Sequence, residues 1–241
     1  METSLYVALS AQMALQKRLD TIANNVANAS TAGFRAEEVK FETYLSNASP
    51  DPIAFAAEGK TYLSRQSGEL VRTDNLLDVA ISGDAWLAIQ TPAGRVYTRD
   101  GRMRVAPSGE LQTLNGYPML DVSGASLLVD PNGGPLRIAR DGTISQNNRQ
   151  VGAIGMFSID ANANLKRFDN SGVIPDQTPT PVLDFTKTGV QQGFVERANV
   201  NPVMEMTRLI MVQRAFEAVT NQINASDATL QDAIRSLGAT S

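Results

Sequence analysis

The segment Asp160-Ala161-Asn162-Ala163-Asn164 sets side-chain oxygens at alternate positions, as the first three ligand positions of a calcium loop do. The sixth position of such a loop needs glycine and here is Leu165. The twelfth needs a bidentate glutamate and here is Ser171. The segment therefore reads as a polar β-turn. Asp78, Asp84, Asp100, Asp121 and Asp130 fall near the ends of apolar runs. Two of them on a β-scaffold could serve as acid and base in a glycoside hydrolase. Most sit beside turn residues, where aspartate is favoured for its backbone hydrogen bonds, and no spacing selects a pair. The chain has no histidine and no cysteine. That excludes thiolate or imidazole zinc sites, Ser-His-Asp and Cys-His catalysis, and disulfides. Gly133-Gly134 leads into Pro135 and a strand-like run, whereas a phosphate loop must open a helix and carry a lysine. The expectation is no catalytic residue, no metal and no cofactor.

Charge and hydropathy remove further classes. Among 241 residues, 21 Lys and Arg face 25 Asp and Glu, a net charge of −4. That weighs against a nucleic-acid partner held by a basic face. Trp86, Tyr97 and Tyr117 are scattered through strand-like segments and read as packing residues. No run approaches the roughly 20 apolar residues of a membrane-spanning helix. The start is apolar from Met1 to Leu15, but no basic residue precedes it and no small-residue cleavage site closes it. The expectation is a start that is not cut away.

The elements that would position any site fall into two kinds. Near the N-terminus, Thr3 or Ser4 can cap a helix. Leu5, Ala8, Gln12, Leu15, Leu19, Ile22, Val26 and Ala29 then alternate by three and four, all apolar except Gln12. This is a heptad stripe, the pattern of a helix burying one narrow seam. It is expected to stop near Asn28, before Gly33 and Phe34. The C-terminus repeats the device. After Pro202, at home in a first helical turn, come Met206, Leu209, Gln213, Phe216, Thr220, Ile223, Asp227, Leu230, Ile234 and Leu237, with Gly238 as the stop. Gln12 and Gln213 sit mid-stripe. Either they fix register by amide hydrogen bonding, or they face a wet channel. Between Thr21 and Phe34 there is no charged residue, and Asn24, Asn25 and Asn28 offer neutral amides. Such a face suits an assembled interior better than a solvated surface. Asn24, Asn25 and Asn28 are read as contacts between subunits or at the helix end, and for Asn28 a helix cap fits equally well.

Between the helices the period changes. Short apolar runs at 79–81, 86–89, 96–98, 127–129 and 154–159 alternate with Asp100-Gly101, Ser108-Gly109, Asn115-Gly116, Asn132-Gly133 and Asp141-Gly142. Such pairs tolerate the positive φ of tight hairpins and predict antiparallel strands. The expected fold is α+β: discontinuous N- and C-terminal coiled-coil helices with an inserted antiparallel all-β domain. The expected parts are an N-terminal helix over 1–34, an extended connector with a strand or two over 35–76, and a β-domain over 77–184. A return connector over 185–199, with a strand as one reading of 193–199, and a C-terminal helix over 200–241 complete the chain. Residues 175–181 are expected to be a loop.

Leu5-Tyr6-Val7-Ala8-Leu9-Ser10 and Ile22-Ala23-Asn24-Asn25-Val26-Ala27-Asn28, continuing to Gly33-Phe34, resemble the N-terminal signature of bacterial flagellar rod and hook proteins. So do Asn199-Val200-Asn201-Pro202 with Gln213-Arg214-Ala215-Phe216-Glu217 at the other end, and Ile81-Ser82-Gly83-Asp84 with Tyr97-Thr98-Arg99-Asp100-Gly101 between them. Within that family the segment from Ala8 to Leu19 is more similar to a proximal rod subunit than to a distal one. The family usually has proline where this chain has Ala32. The resemblance implies a structural role, not an enzyme. Its members leave the cell unfolded through the flagellar type III export apparatus, without a cleaved signal peptide. They assemble with copies of themselves and other rod proteins into the basal-body rod, which crosses the periplasmic space and carries torque from motor to hook. The terminal helices would form an inner tube and order fully on assembly. Leu5, Gln12, Leu15, Leu19, Ile22, Asn24, Asn25, Val26, Asn28, Met206, Leu209, Gln213, Phe216, Ile223 and Leu230 would form the assembly interface. Gly33 and Phe34 would shape the turn. The alternatives are a distal rod subunit, a coiled-coil scaffold, or the carboxylate hydrolase above.

Overall fold

The computed structural model describes residues 2–46 and 53–238. Two helices bracket a succession of short antiparallel strands, an α+β arrangement. The chain divides into two compact units. One comprises Met1–Ala27, Glu37–Tyr62 and Asn201–Ser241; the other comprises Asn28–Ala36 and Leu63–Val200.

In the first unit, helix α1 (Glu2–Ala27) packs along helix α2 (Pro202–Gly238). Because α1 begins at Glu2, Thr3 and Ser4 lie inside its first turn and do not cap it. Along its stripe Leu5, Ala8, Gln12, Leu15, Leu19 and Val26 are half-buried and Ile22 is buried, while Ala14, Thr21 and Asn25, outside the stripe, are buried as well. On α2 the seam runs through Glu205, Leu209, Val212, Phe216, Val219, Thr220 and Ile223. Met206 and Gln213, expected in it, are exposed. Val212 is the apolar neighbour that takes the buried place, while the Gln213 amide donates to Glu217 Oε1 one turn on at 3.2 Å. Leu230 lies in α2, with its side chain outside the described residues. Asn201 caps α2: its Oδ1 accepts the amides of Val203 and Met204 at 3.1 and 3.2 Å, and Pro202 occupies the first turn. The strands Glu37–Ser46 and Ile53–Leu63, in the connector expected to hold a strand or two, pair with each other and lie chiefly in this unit.

The second unit is β. Its main sheet runs, edge to edge, through Leu165–Phe168, Gly172–Pro175, Gly94–Thr98, Trp86–Thr91, Met156–Ser158 and Thr180–Pro181. Leu87 pairs with Thr98, Ala88 with Tyr97 and Ile89 with Val96. Successive side chains leave opposite faces of a strand, so this register feeds two cores. Leu87, Ile89 and Val96 join Met103, Leu111, Met119 and Ile144 in one. Trp86, Ala88 and Tyr97 join Phe157 and Ile159 in the other.

The turn signals place some elements and miss others. Ser108-Gly109 joins the hairpin of Met103–Val105 and Leu111–Thr113, and Asp141-Gly142 joins Leu136–Ile138 to Thr143–Gln146. The hairpin between Thr143–Gln146 and Arg149–Ala153 turns on Asn147 and Asn148, both at positive φ (52° and 60°), a pair not singled out in advance. Residues 127–129 form no strand: Leu128 makes only an isolated bridge with Glu110. The run at 154–159 is split, with Ile154 and Gly155 between strands ending at Ala153 and starting at Met156. Residues 175–181 hold the short strand Thr180–Pro181, which completes one edge of the main sheet. The return connector forms two strands, Gly189–Gln192 against Val79–Ser82 and Phe194–Glu196 against Leu70–Arg72.

Candidate assembly surface

Each helix carries apolar side chains outside the seam. On α1, Tyr6, Leu9 and Met13 are exposed at helical spacing. On α2 the exposed apolar residues are Val203, Met204, Met206, Ile210 and Met211. At 100° per residue these five span an arc of about 160°, centred on the side of α2 opposite its seam. Past the buried Glu205, α2 thus carries apolar residues on its seam, at Leu209 and Val212, and on the side opposite. The sequence carried the signal, because Val203, Met206 and Ile210 are spaced by three and four. The single-seam reading assigned Met206 to the buried stripe and passed over its neighbours.

The amide-rich end of α1 is used within the chain. Asn25, only 4% exposed, donates from Nδ2 to the Glu37 carbonyl at 2.8 Å and accepts the Glu37 amide at Oδ1, also at 2.8 Å. Asn24 Nδ2 donates to Glu37 Oε2 at 3.3 Å. Asn25 therefore fastens a strand to its own helix, a contact at the helix end. Gln12 Nε2 donates to Thr220 Oγ1 at 3.2 Å, a hydrogen bond across the helix pair.

Beyond α1 the chain turns sharply. The Asn28 carbonyl accepts the Thr31 amide at 3.0 Å, and its side-chain oxygen accepts the Thr31 hydroxyl at 3.2 Å. Gly33 has φ +67°, and a Cβ there would lie 2.3 Å from the Asp100 nitrogen. Only glycine satisfies both constraints. Its amide donates to the Glu196 carbonyl at 2.8 Å. Phe34 is buried, with the Arg167 guanidinium 4.3 Å from its ring centre.

Next to this turn sits a buried ionic cluster that charge counting did not anticipate. Glu196, 1% exposed, receives Arg35 Nη2 at Oε1 at 2.9 Å and Arg99 Nε at Oε2 at 3.1 Å. The second approach is an ion pair off the hydrogen-bonding line, since neither atom has a hydrogen-bond partner. The Gly68 amide donates to Oε1 at 2.9 Å. Arg99 also donates to the carbonyls of Ala85 and Gly83 and to the Ser67 hydroxyl, and Arg35 to the Gln66 carbonyl. Trp86 lies against both guanidinium groups, with centroid distances of 5.7 and 5.8 Å. Burial pulls Arg99 down to about 10, with Glu196 opposing and Arg35 reinforcing the shift. Arg35 is lowered by burial too, again against Glu196. The cluster ties the segment leaving α1 to the strand that precedes α2.

The chemical candidates dissolve into turn geometry. Asp160 Oδ1 accepts the Asn162 amide at 2.8 Å, and Asn164 bonds to Asp176. The carbonyls of Ile159, Asp160 and Ala163 all accept from the Arg65 guanidinium. The turn thus already lies against a cation of the chain itself. Asp78, Asp100, Asp121 and Asp130 each bond to residues two to five positions away. Among the described residues no group of three or more acidic side chains could hold a metal ion, and no helix is long and apolar enough to cross a membrane.

Three family models match, in chain order. Residues 5–35 match one described as flagella basal body rod protein, and 80–146 match the D1 domain of the flagellar hook protein FlgE/F/G. Residues 191–236 match the C-terminal part of flagellar basal body rod FlgEFG proteins. Arg35, Arg99 and Glu196 come one from each matched segment. The flagellar basal-body rod protein FlgF of Mesorhizobium japonicum is 53% identical over 241 residues, covering all of both chains. FlgF of Rhizobium meliloti is 47% identical over 99% of each. FlgG of Bacillus subtilis is 29% identical over 96% of this chain and 97% of its own.

Proposed function

We propose that this chain, which belongs to the flagellar basal-body rod protein family, is a structural and non-catalytic subunit of the rod. It shares more residues with the FlgF relatives than with the FlgG relative, which favours the proximal rod position over the distal one. The observation that carries the assembly reading is the exposed apolar arc of Val203, Met204, Met206, Ile210 and Met211, opposite the seam at the start of α2. Leu5, Leu15, Leu19, Ile22, Val26, Leu209, Phe216 and Ile223 hold the in-chain helix pair. Tyr6, Leu9, Met13, Val203, Met206, Ile210 and Met211 meet neighbouring copies or other rod proteins. Burying such a face stabilises by about 25 cal/mol per Å² of apolar area removed from water. That gain offsets the entropy of holding long helices in one arrangement. The helix pair belongs to the inner tube of the rod, in the periplasmic part of the basal body, and the chain reaches it unfolded through the export apparatus. Asp78, Asp100, Asp121 and Asp130 bond within their own turns, and nothing supports the hydrolase reading.

The test is the double variant Leu9→Glu/Ile210→Glu. Both side chains are exposed in the single chain, so helicity and unfolding midpoint should stay as in the unmodified protein. Sedimentation should show loss of ordered polymer, and a strain carrying the variant should lose motility. Normal polymer from the double variant would overturn the assignment of this face.

A further inference from the structure

The chain has eight methionines, and their placement is sharply divided. Met103, Met119 and Met156 lie in the β core at 3%, 0% and 1% exposure. Met13, Met204, Met206 and Met211 all lie on the two helices at 52–58% exposure. Met1 is outside the described residues. No cysteine competes for an oxidant, so the exposed thioethers are the softest nucleophiles the chain offers.

We propose that Met13, Met204, Met206 and Met211 form an oxidation site that switches off assembly: hydrogen peroxide converts them to sulfoxides in the unassembled subunit and leaves the β core intact. The proposal rests on the assembly reading of this face. In each step the sulfur lone pair attacks one peroxide oxygen and the O–O bond breaks. That oxygen stays on sulfur, and the other leaves as water with both peroxide protons. Sulfur loses two electrons and the peroxide gains them. A flexible apolar side chain becomes a polar one whose S=O must keep a hydrogen-bond partner or bear the cost of desolvation. Three of the four sites fall within the first three turns of α2, on the arc opposite the seam. Oxidation therefore changes that arc where it is most apolar. The seam holds no described methionine, so the helix pair is spared. Once neighbours cover the arc, the same sulfurs are shielded.

The experiment treats the full-length soluble chain with hydrogen peroxide, maps oxidation by peptide mass, and then follows assembly by sedimentation. The helix methionines should oxidise at least about tenfold faster than Met103, Met119 and Met156, following exposure. Oxidised chain should fail to polymerise with its β-sheet signal unchanged, and methionine sulfoxide reductase should restore assembly. The quadruple variant Met13→Leu/Met204→Leu/Met206→Leu/Met211→Leu keeps the face apolar and should still assemble after peroxide. Equal oxidation of core and helix methionines overturns the proposal. So does normal polymerisation of the oxidised chain, or loss of assembly in the peroxide-treated leucine variant. Untreated chain that does not polymerise overturns the assembly reading itself, and this proposal with it.

Discussion

Asn25 holds Glu37 by both of its main-chain groups, with two hydrogen bonds of 2.8 Å from one side-chain amide. The amide stands in for a strand neighbour and fixes the start of Glu37–Ser46 against α1. Asn25→Ala removes both of these bonds, at about 1 kcal/mol for each. The Glu37 amide should lose its hydrogen-exchange protection. Asn25→Asp keeps the acceptor but loses the donor and buries a charge, so it should be no milder.

Glu196 neutralises two buried arginines at once. Glu196→Gln should cost about 3–5 kcal/mol, since it leaves both guanidinium groups buried without a counter-ion. Urea unfolding measures this directly. Arg99→Lys should also be costly: a single ammonium cannot reach Ala85, Gly83, Ser67 and Glu196 together.

Gly33→Ala combines an unfavourable φ with a Cβ that meets main-chain atoms of Asp100 and Arg99 at 2.3 and 2.5 Å. Main chain cannot swing aside as a flexible side chain can. The loss should be at least about 2 kcal/mol. Thermal unfolding checks it, with a lower midpoint as the expected result.

The two seam glutamines should behave differently. A cycle of Gln12→Leu and Thr220→Val should show a coupling of about 0.5–1 kcal/mol, because their side chains meet across the pair. Gln213→Leu should change stability by less than about 0.5 kcal/mol, because its amide is exposed and bonds to Glu217 of its own helix. Urea midpoints of the single and double variants supply every term.

Stability should be nearly flat from about pH 5 to 9, since no histidine titrates there. Asp141 lies below the usual carboxylate range because the Thr143 amide and hydroxyl donate to it, and Asp184 does so through Thr186. A carboxylate lowered on folding stabilises above its unfolded value and loses that contribution as pH falls through the folded one. The urea midpoint should therefore drop below about pH 4. Arg99, lowered to about 10, has the opposite sign to a stabilising base. Above that pH the unfolded chain holds the proton that the folded chain has released, so this group's contribution to stability rises with pH.

The α1 seam was legible because its period is local and repeats over several turns. Gly33 was legible as a turn, but the reason for glycine, contact with Asp100, lies far along the chain. The α2 seam was read one residue out at Met206 and Gln213, because Val212 and Ile210 give that helix apolar residues on both sides and periodicity alone cannot rank them. Residues 127–129 are apolar enough for a strand, yet neighbouring turns leave them a single bridge. The ionic cluster had no sequence signal at all. Arg35, Arg99 and Glu196 are separated by long stretches, and only the closed fold makes their charges adjacent.

The exposed apolar arc at the start of α2 also limits the free subunit as a colloid. A net charge of −4 on 241 residues supplies little mutual repulsion. Exposed apolar arcs on both helices then leave non-specific clumping in competition with ordered growth. The concentration at which the purified chain stays clear should be low and should fall with added salt. Solubility and polymerisation are two readouts of one surface, so a substitution that raises the first is expected to slow the second.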